Sequence, residues 1–227
     1  MCSADGPPTT AHPLVGVLAA AAAGVFPPAD GGVDVLPPDP AGLRAVVALT
    51  GHAYVLADVD PDELRRRGAD GYGGASQPDV LRWLAGPQGT IGSLDVVLVA
   101  TAGPTLTPSQ PPLSRRDDLD DHSRVRRAMA HRRDVEVFGD DAGLVVIGRG
   151  LVGRWELAVE RHDAGGSGGH GRRLIRSGLA RLPAGERCWA QVAPGNAASL
   201  RAFLSCGFVP IGSEVLVQTR STHPPSR

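Results

Sequence analysis

Residues 165–179 read GGSGGHGRRLIRSGL, and Gly166, Gly168 and Gly171 stand at the spacing G-x-G-x-x-G. A glycine run that enters a helix suits a phosphate, because its backbone can approach an anion closely and the helix start offers N–H groups and the positive end of the dipole. The ligands to weigh are a dinucleotide, a nucleoside triphosphate and coenzyme A; a flexible linker is the reading without a ligand. A dinucleotide site needs an acidic residue about 20 positions on, at the end of the next strand, to hold the ribose. That strand is RCWAQVA and runs into Val192, Ala193 and Pro194, so this reading fails. A Walker loop needs Gly-Lys-Ser/Thr, and all 23 basic residues of this chain are Arg. The run leads without a polar spacer into HGRRLIRSGLARL, whose Leu174, Ile175, Leu179 and Leu182 share one helix face. With Arg172 and Arg173 in the first turn, the loop reads as an anion site.

The elements around the loop follow from hydrophobic periodicity and turn residues. DVEVFG, GLVVIGRG and RWELAVE read as three strands joined by tight Gly/Asp turns. After the loop and its helix come the strand RCWAQVA, the helix NAASLRAFLSCG and the strand FVPIGSEVLV, giving β-β-β-α-β-α-β over residues 134–217. Before them, HSRVRRAMAHRR predicts a solvated surface helix with Asp121 as its N-cap. Further upstream, HPLVGVLAAAAAGVF is an Ala-rich helix, VDVLPP a short strand, and RAVVALTGHAYVLADV two β segments around Thr50 and Gly51. Asp60 and Pro61 open a short helix stopped by Gly68, SQPDVLRWLAG a second one stopped by Gly86, and SLDVVLVA is a buried strand. The expected organisation is a tail over 1–12, an N-terminal variable lobe over 13–100, a Pro-rich connector over 101–121, the loop-bearing region over 122–217 and a polar tail over 218–227.

Two motifs in that last large region resemble those of the GNAT superfamily of acyl-CoA-dependent N-acetyltransferases. The family shows R/Q-x-x-G-x-G/A at a helix start after a strand, holding the coenzyme A pyrophosphate; here Gly169, His170 and Gly171 supply the G-x-G. The family then has a strand, an Asn and a helix ending in Gly-Phe. NAASLRAFLSCGF puts Asn196, Ser199, Phe203, Gly207 and Phe208 at those spacings. The resemblance covers about residues 134–217. It implies an α/β GNAT-like fold with a mixed, mostly antiparallel sheet flanked by helices, and a V-shaped cleft that takes acetyl-CoA as cosubstrate. It also implies transfer of an acetyl group to a primary amine by direct attack.

The resemblance further implies which residues hold acetyl-CoA. Gly166, Ser167, Gly168, Gly169, His170, Gly171 and Arg172 would take the phosphates. The main chain of Leu157, Ala158 and Val159 would pair with the pantetheine, an N–H near Val159 polarising the thioester carbonyl, with Asn196 and Phe203 beside the arm. Two positions depart from the family's pattern. Gly166 stands where Arg or Gln is usual, leaving the phosphates to backbone N–H groups and to Arg172 or Arg173. Phe203 stands where many members carry a Tyr that protonates the departing thiolate; a thiol with a pKa near 8.5 is still a tolerable leaving group. The competing reading is therefore a GNAT-like protein that binds acyl-CoA without turnover, as a sensor or partner module.

Attack by an amine also requires that its ammonium lose a proton. Alternation along WELAVE puts Trp155, Leu157 and Val159 on one face and Glu156, Ala158 and Glu160 on the other. Glu156 lies mid-strand, where desolvation would raise its pKa, and is the candidate catalytic base, directly or through a water. The alternative for Glu156 is an ion-paired strand residue. His52 and Tyr54 either line the acceptor pocket or pack at a sheet edge, and Cys206 is expected to be structural.

Composition limits the remaining classes. The formal net charge of −1 gives no general field for nucleic acid or an anionic membrane. Three widely spaced cysteines, Cys2, Cys188 and Cys206, argue against a metal site or disulfide framework and for a reducing cytoplasm. The Ala-rich helix is too short for a membrane span, and no basic residue precedes it as a secretory leader would require; the first is Arg44. The expectation is a cytoplasmic protein without metal, acting on a small-molecule or peptide amine as monomer or homodimer.

Overall fold

Strands from both halves of the chain interleave in one sheet. The computed structural model describes residues 11–103, 112–162 and 169–219. Its strands are β1 (Val33–Leu36), β2 (Arg44–Leu49), β3 (His52–Leu56), β4 (Thr90–Ile91), β5 (Asp95–Thr101), β6 (Ser114–Arg115), β7 (Arg133–Asp140), β8 (Gly143–Arg149), β9 (Trp155–Arg161), β10 (Arg187–Val192) and β11 (Val209–Gln218). They are ordered β1-β3-β2-β11-β5-β10-β9-β8-β7-β6, with β4 pairing on β11. Among the described residues only β1–β3 and β9–β10 are parallel. The fold is thus α/β, with a mixed and mostly antiparallel sheet, and the order over residues 133–218 is the expected β-β-β-α-β-α-β. Because β5 sits between β11 and β10, the strands before and after residues 101–121 share a single hydrogen-bonded array.

The helices are α1 (Pro13–Ala22), α2 (Pro61–Arg66), α3 (Pro78–Ala85), α4 (Ser123–Met129), α5 (His170–Leu179) and α6 (Ala197–Leu204). Most of their ends follow the sequence. Pro stands in the first turn of α1, α2 and α3, Asp60 caps α2, and α3 stops at Gly86, which has φ 71°. The cap of α4 is His122 rather than Asp121: a ring nitrogen accepts from the Arg124 N–H at 3.3 Å. An imidazole nitrogen reaches the orphan N–H as a carboxylate oxygen would.

Each face of the sheet is covered because alternate residues of its strands are apolar. On one face, Leu174, Ile175 and Leu179 of α5 and Phe203 of α6 pack on Leu98, Ala100, Leu157, Cys188 and Ala190. On the other, Leu14 and Leu18 of α1 cover Val47, Leu49, Val97, Val99 and Trp189. Val125 and Ala128 of α4 cover Val137, Leu144 and Val146. Helix α4 is therefore not solvated all round. Helix α5 crosses β9 closely at Gly178, where a Cβ would stand 2.4 Å from Leu157 Cδ1 and 3.0 Å from Val145 Cγ2. Cys206 is structural, its Sγ donating to the Arg172 carbonyl at 3.6 Å. Two-residue strands β4 and β6 give too little periodicity to be read from sequence. Among the described residues no helix is long and apolar enough to cross a membrane.

Candidate functional site

Parallel strands β9 and β10 pair only at Trp155–Cys188 and Glu156–Trp189. Each strand is held along its outer edge: all seven residues of β9 pair with β8, and all six of β10 pair with β5. Beyond Glu156 the two therefore diverge. Past that point, the backbone groups of β9 that point away from β8, on every second residue, no longer have a β10 partner and face the gap. The gap opens into a cleft of about 740 Å³, lined by Leu157, Ala158 and Val159 and by Glu156, Gln191, Asn196, Ser199 and Phe203, with Arg124, Arg127 and Ala128 of α4 as its roof. That volume suits a small-molecule or cofactor site.

At the start of α5, Gly169 is the N-cap and adopts φ 75°, a left-handed conformation that disfavours side chains. His170, Gly171 and Arg172 form the first turn; Gly166, Ser167 and Gly168 lie outside the described residues. The two arginines separate. Arg173 pairs with Asp140, whereas the Arg172 guanidinium stays by the glycine cap, 3.2 Å from where a Gly169 Cβ would stand. Arg161, at the end of β9, also reaches this helix start, its Cδ 3.6 Å from a Cβ built on Gly171. Asn196 caps α6, accepting from the Ser199 N–H at 3.1 Å, and lines the cleft as well. Phe203 is buried edge-on against Phe208, ring centroids 4.9 Å apart.

Glu156 is on the cleft floor, but it is not a lone desolvated carboxyl. Its Oε2 accepts from Arg132 Nε at 2.9 Å. Its Oε1 accepts from Arg154 Nε at 2.9 Å and the Leu151 N–H at 3.3 Å. Arg154 continues to both oxygens of Glu214 at 2.7 Å, and Arg132 Nη2 donates to Gln191 Oε1 at 3.3 Å. No side chain among Arg132, Arg154, Glu156 and Glu214 is more than 9% exposed. The four charges alternate in sign, which is what allows them to be buried together. Gly150 makes the room, since a Cβ there would fall 2.2 Å from the Glu156 carboxyl carbon.

This corrects the expectation of a raised Glu156 pKa. Burial does push the carboxyl up, but Arg154 and Arg132 outweigh it and hold it below the ordinary carboxylate range. For Glu214 burial prevails over Arg154 and the carboxyl is raised. No spacing rule links Glu156 to an arginine 24 positions earlier, so the ion chain was not legible in sequence.

Three residues that sequence reasoning missed form the cleft wall nearest β4, together with Ser93, Thr90 and Gln218. Asp95 opens β5 directly opposite Glu214 on β11 and is half-buried. Burial lifts its carboxyl above the ordinary value, opposed by a 2.9 Å hydrogen bond from Ser93 Oγ and by the Arg127 charge. His131 is also half-buried, and burial with the Arg127 charge lowers its pKa. Gln218 Oε1 accepts from Thr90 Oγ1 at 3.3 Å, so its amide presents N–H to His131 Nδ1 at 3.2 Å. The neutral ring then carries its proton on Nε2. A signal existed: Arg124, Arg127 and His131 recur at i, i+3 and i+7, one helix face. His52 and Tyr54 do not line this cleft, nor are they at a sheet edge: β3 lies between β1 and β2, and His52 sits between Asp30 at 2.8 Å and Asp34 at 3.2 Å. Among the described residues no group of His, Cys, Asp and Glu is arranged to hold a metal ion.

No family model matches the sequence, and no curated protein matches it. Among solved structures it is similar to a GCN5-related N-acetyltransferase from Kribbella flavida, 16% identical over 60% of this chain and 61% of that chain, with a TM-score of 0.40. It is also similar to a protein from Novosphingobium aromaticivorans described as a GNAT-family acetyltransferase, 20% identical over 60% and 69% of the two chains, TM-score 0.41. A third is a conserved protein of unknown function from Staphylococcus epidermidis, 14% identical over 63% and 67%, TM-score 0.41. The chain thus spans about three fifths of the length of the Kribbella protein.

Proposed function

We propose that this protein transfers an acetyl group from acetyl-CoA to a primary amine by direct attack. The observation that carries the proposal is the divergence of β9 from β10 after Glu156, beside a helix that starts on a left-handed glycine. A pantetheine arm is the kind of ligand such a gap accepts, since its amides can hydrogen-bond those backbone groups of Leu157, Ala158 and Val159 that point away from β8. The pyrophosphate would lie at the start of α5, on the N–H groups of Gly169, His170 and Gly171 and the loop residues Gly166, Ser167 and Gly168, with Arg172 supplying charge. Asn196 and Phe203 would flank the arm.

The chemistry then divides among the residues of the cleft. An N–H near Val159 polarises the thioester carbonyl. The ammonium gives one proton to a carboxylate, the free amine attacks, the C–N bond forms and the C–S bond breaks. The second amine proton neutralises the thiolate through water, because Phe203 has none to give. Both oxygens of Glu156 are engaged by arginines. Asp95, with its raised carboxyl on the same cleft, is the better proton acceptor, and Glu156 serves to hold Arg132 where the strands part. The test is release of free coenzyme A thiol from acetyl-CoA in the presence of a panel of primary amines. Amine-dependent release supports the enzyme. Tight acetyl-CoA binding with no release for any amine supports the rival reading, acyl-CoA binding without turnover, which Phe203 favours.

A further inference from the structure

We propose that the acceptor is an amino acid-type compound, one that carries a carboxylate close to its reacting amine. This inference rests on the acetyltransferase reading and names its substrate class. Its basis is the charge pattern of the cleft wall around Asp95. The other cleft arginines are already committed: Arg124 to Glu160 at 2.7 Å, and Arg132 to Glu156 at 2.9 Å. Arg127 lines the same cleft, is exposed, and forms no hydrogen bond or ion pair with another described residue. It stands near enough to Asp95 and His131 to act on both electrostatically.

Asp95 and Arg127 therefore present one negative and one positive group to the same space, with the Nε2–H of His131 as a neutral donor beside them. The complement of a wall that carries both charges is a molecule with both a cation and an anion. Its ammonium would meet Asp95, which takes the proton. Its carboxylate would meet Arg127 and His131 in charge-assisted hydrogen bonds. A simple amine would leave Arg127 uncompensated, and a polyamine would be repelled by it. A peptide N-terminus offers a carbonyl in place of the carboxylate and would forfeit the ionic contact.

The experiment compares an α-amino acid, its carboxamide and its decarboxylated amine as acceptors, with acetyl-CoA affinity measured separately. The expected result is a kcat/KM for the amino acid about two- to fivefold above that of its carboxamide, as an ionic contact to a solvent-exposed arginine supplies. In Arg127→Met that ratio falls toward unity, mainly through KM of the amino acid, while a thermal melt verifies folding. Equal or better use of the carboxamide and the amine by the unaltered protein overturns the inference and leaves the acetyltransferase reading standing. A ratio unchanged in Arg127→Met overturns the role of Arg127. Absence of acetyl-CoA binding overturns the acetyltransferase reading and this inference with it.

Discussion

Arg132 donates from Nε to Oε2 of Glu156 at 2.9 Å at the last pair before β9 and β10 part. Its Nη2 donates to Gln191 Oε1 on β10, so one guanidinium spans both arms of the cleft at their vertex. The contact makes Glu156 an anchor of the cleft and lowers its worth as a base.

Glu156→Gln keeps the shape of the side chain but leaves Arg132 and Arg154 buried around a neutral group. The expected loss is about 3–5 kcal/mol of stability, the usual consequence of breaking a buried pair by removing one partner. Chemical denaturation measures it. If Glu156 is not the proton acceptor, the acid limb of the pH–rate profile in the folded fraction stays where it is in the unaltered protein. An acid limb abolished by this change would restore Glu156 as the base.

Asp95→Asn removes the proposed proton acceptor while preserving the Ser93 contact. We expect kcat/KM for amine acetylation to fall by about 10²–10⁴, with acetyl-CoA affinity kept. The sign of the pH dependence follows from the raised pKa. Protonated Asp95 cannot accept, so kcat/KM of the unaltered protein should climb as pH rises through a midpoint above the ordinary carboxylate value. The climb attributable to this group should vanish in the variant.

Gly178→Val tests the packing that holds β9 in place beneath α5. A Cβ at this position meets Leu157 Cδ1 at 2.4 Å, and a branched side chain adds to the clash. Overpacking of this kind costs about 1–3 kcal/mol or more. A lowered thermal midpoint together with weakened acetyl-CoA binding is expected, because Leu157 belongs both to the core under α5 and to the cleft wall.

The elements that carry strong local signals were legible in sequence. Alternation along Trp155–Arg161 assigned the faces of β9 correctly: Leu157 is in the core under α5 and Glu156 on the cleft floor. The apolar stripe of α5 was equally plain. What escaped depends on long-range convergence. Arg154 and Glu214 lie 60 positions apart, and Asp95 and Arg127 come from different elements, so no period or motif joins them. Even the burial of Arg132 was hidden, because an Arg-rich helix reads as solvated until its neighbours are known.

Calorimetric titration with acetyl-CoA, dephospho-CoA and NAD tests the central claim most directly. All three carry a pyrophosphate for the start of α5, but only the first two carry pantetheine for the main chain of β9. We predict binding of acetyl-CoA and dephospho-CoA with Kd on the order of micromolar, and no binding of NAD. No heat from acetyl-CoA, or equal affinity for NAD, would contradict the assignment of this cleft.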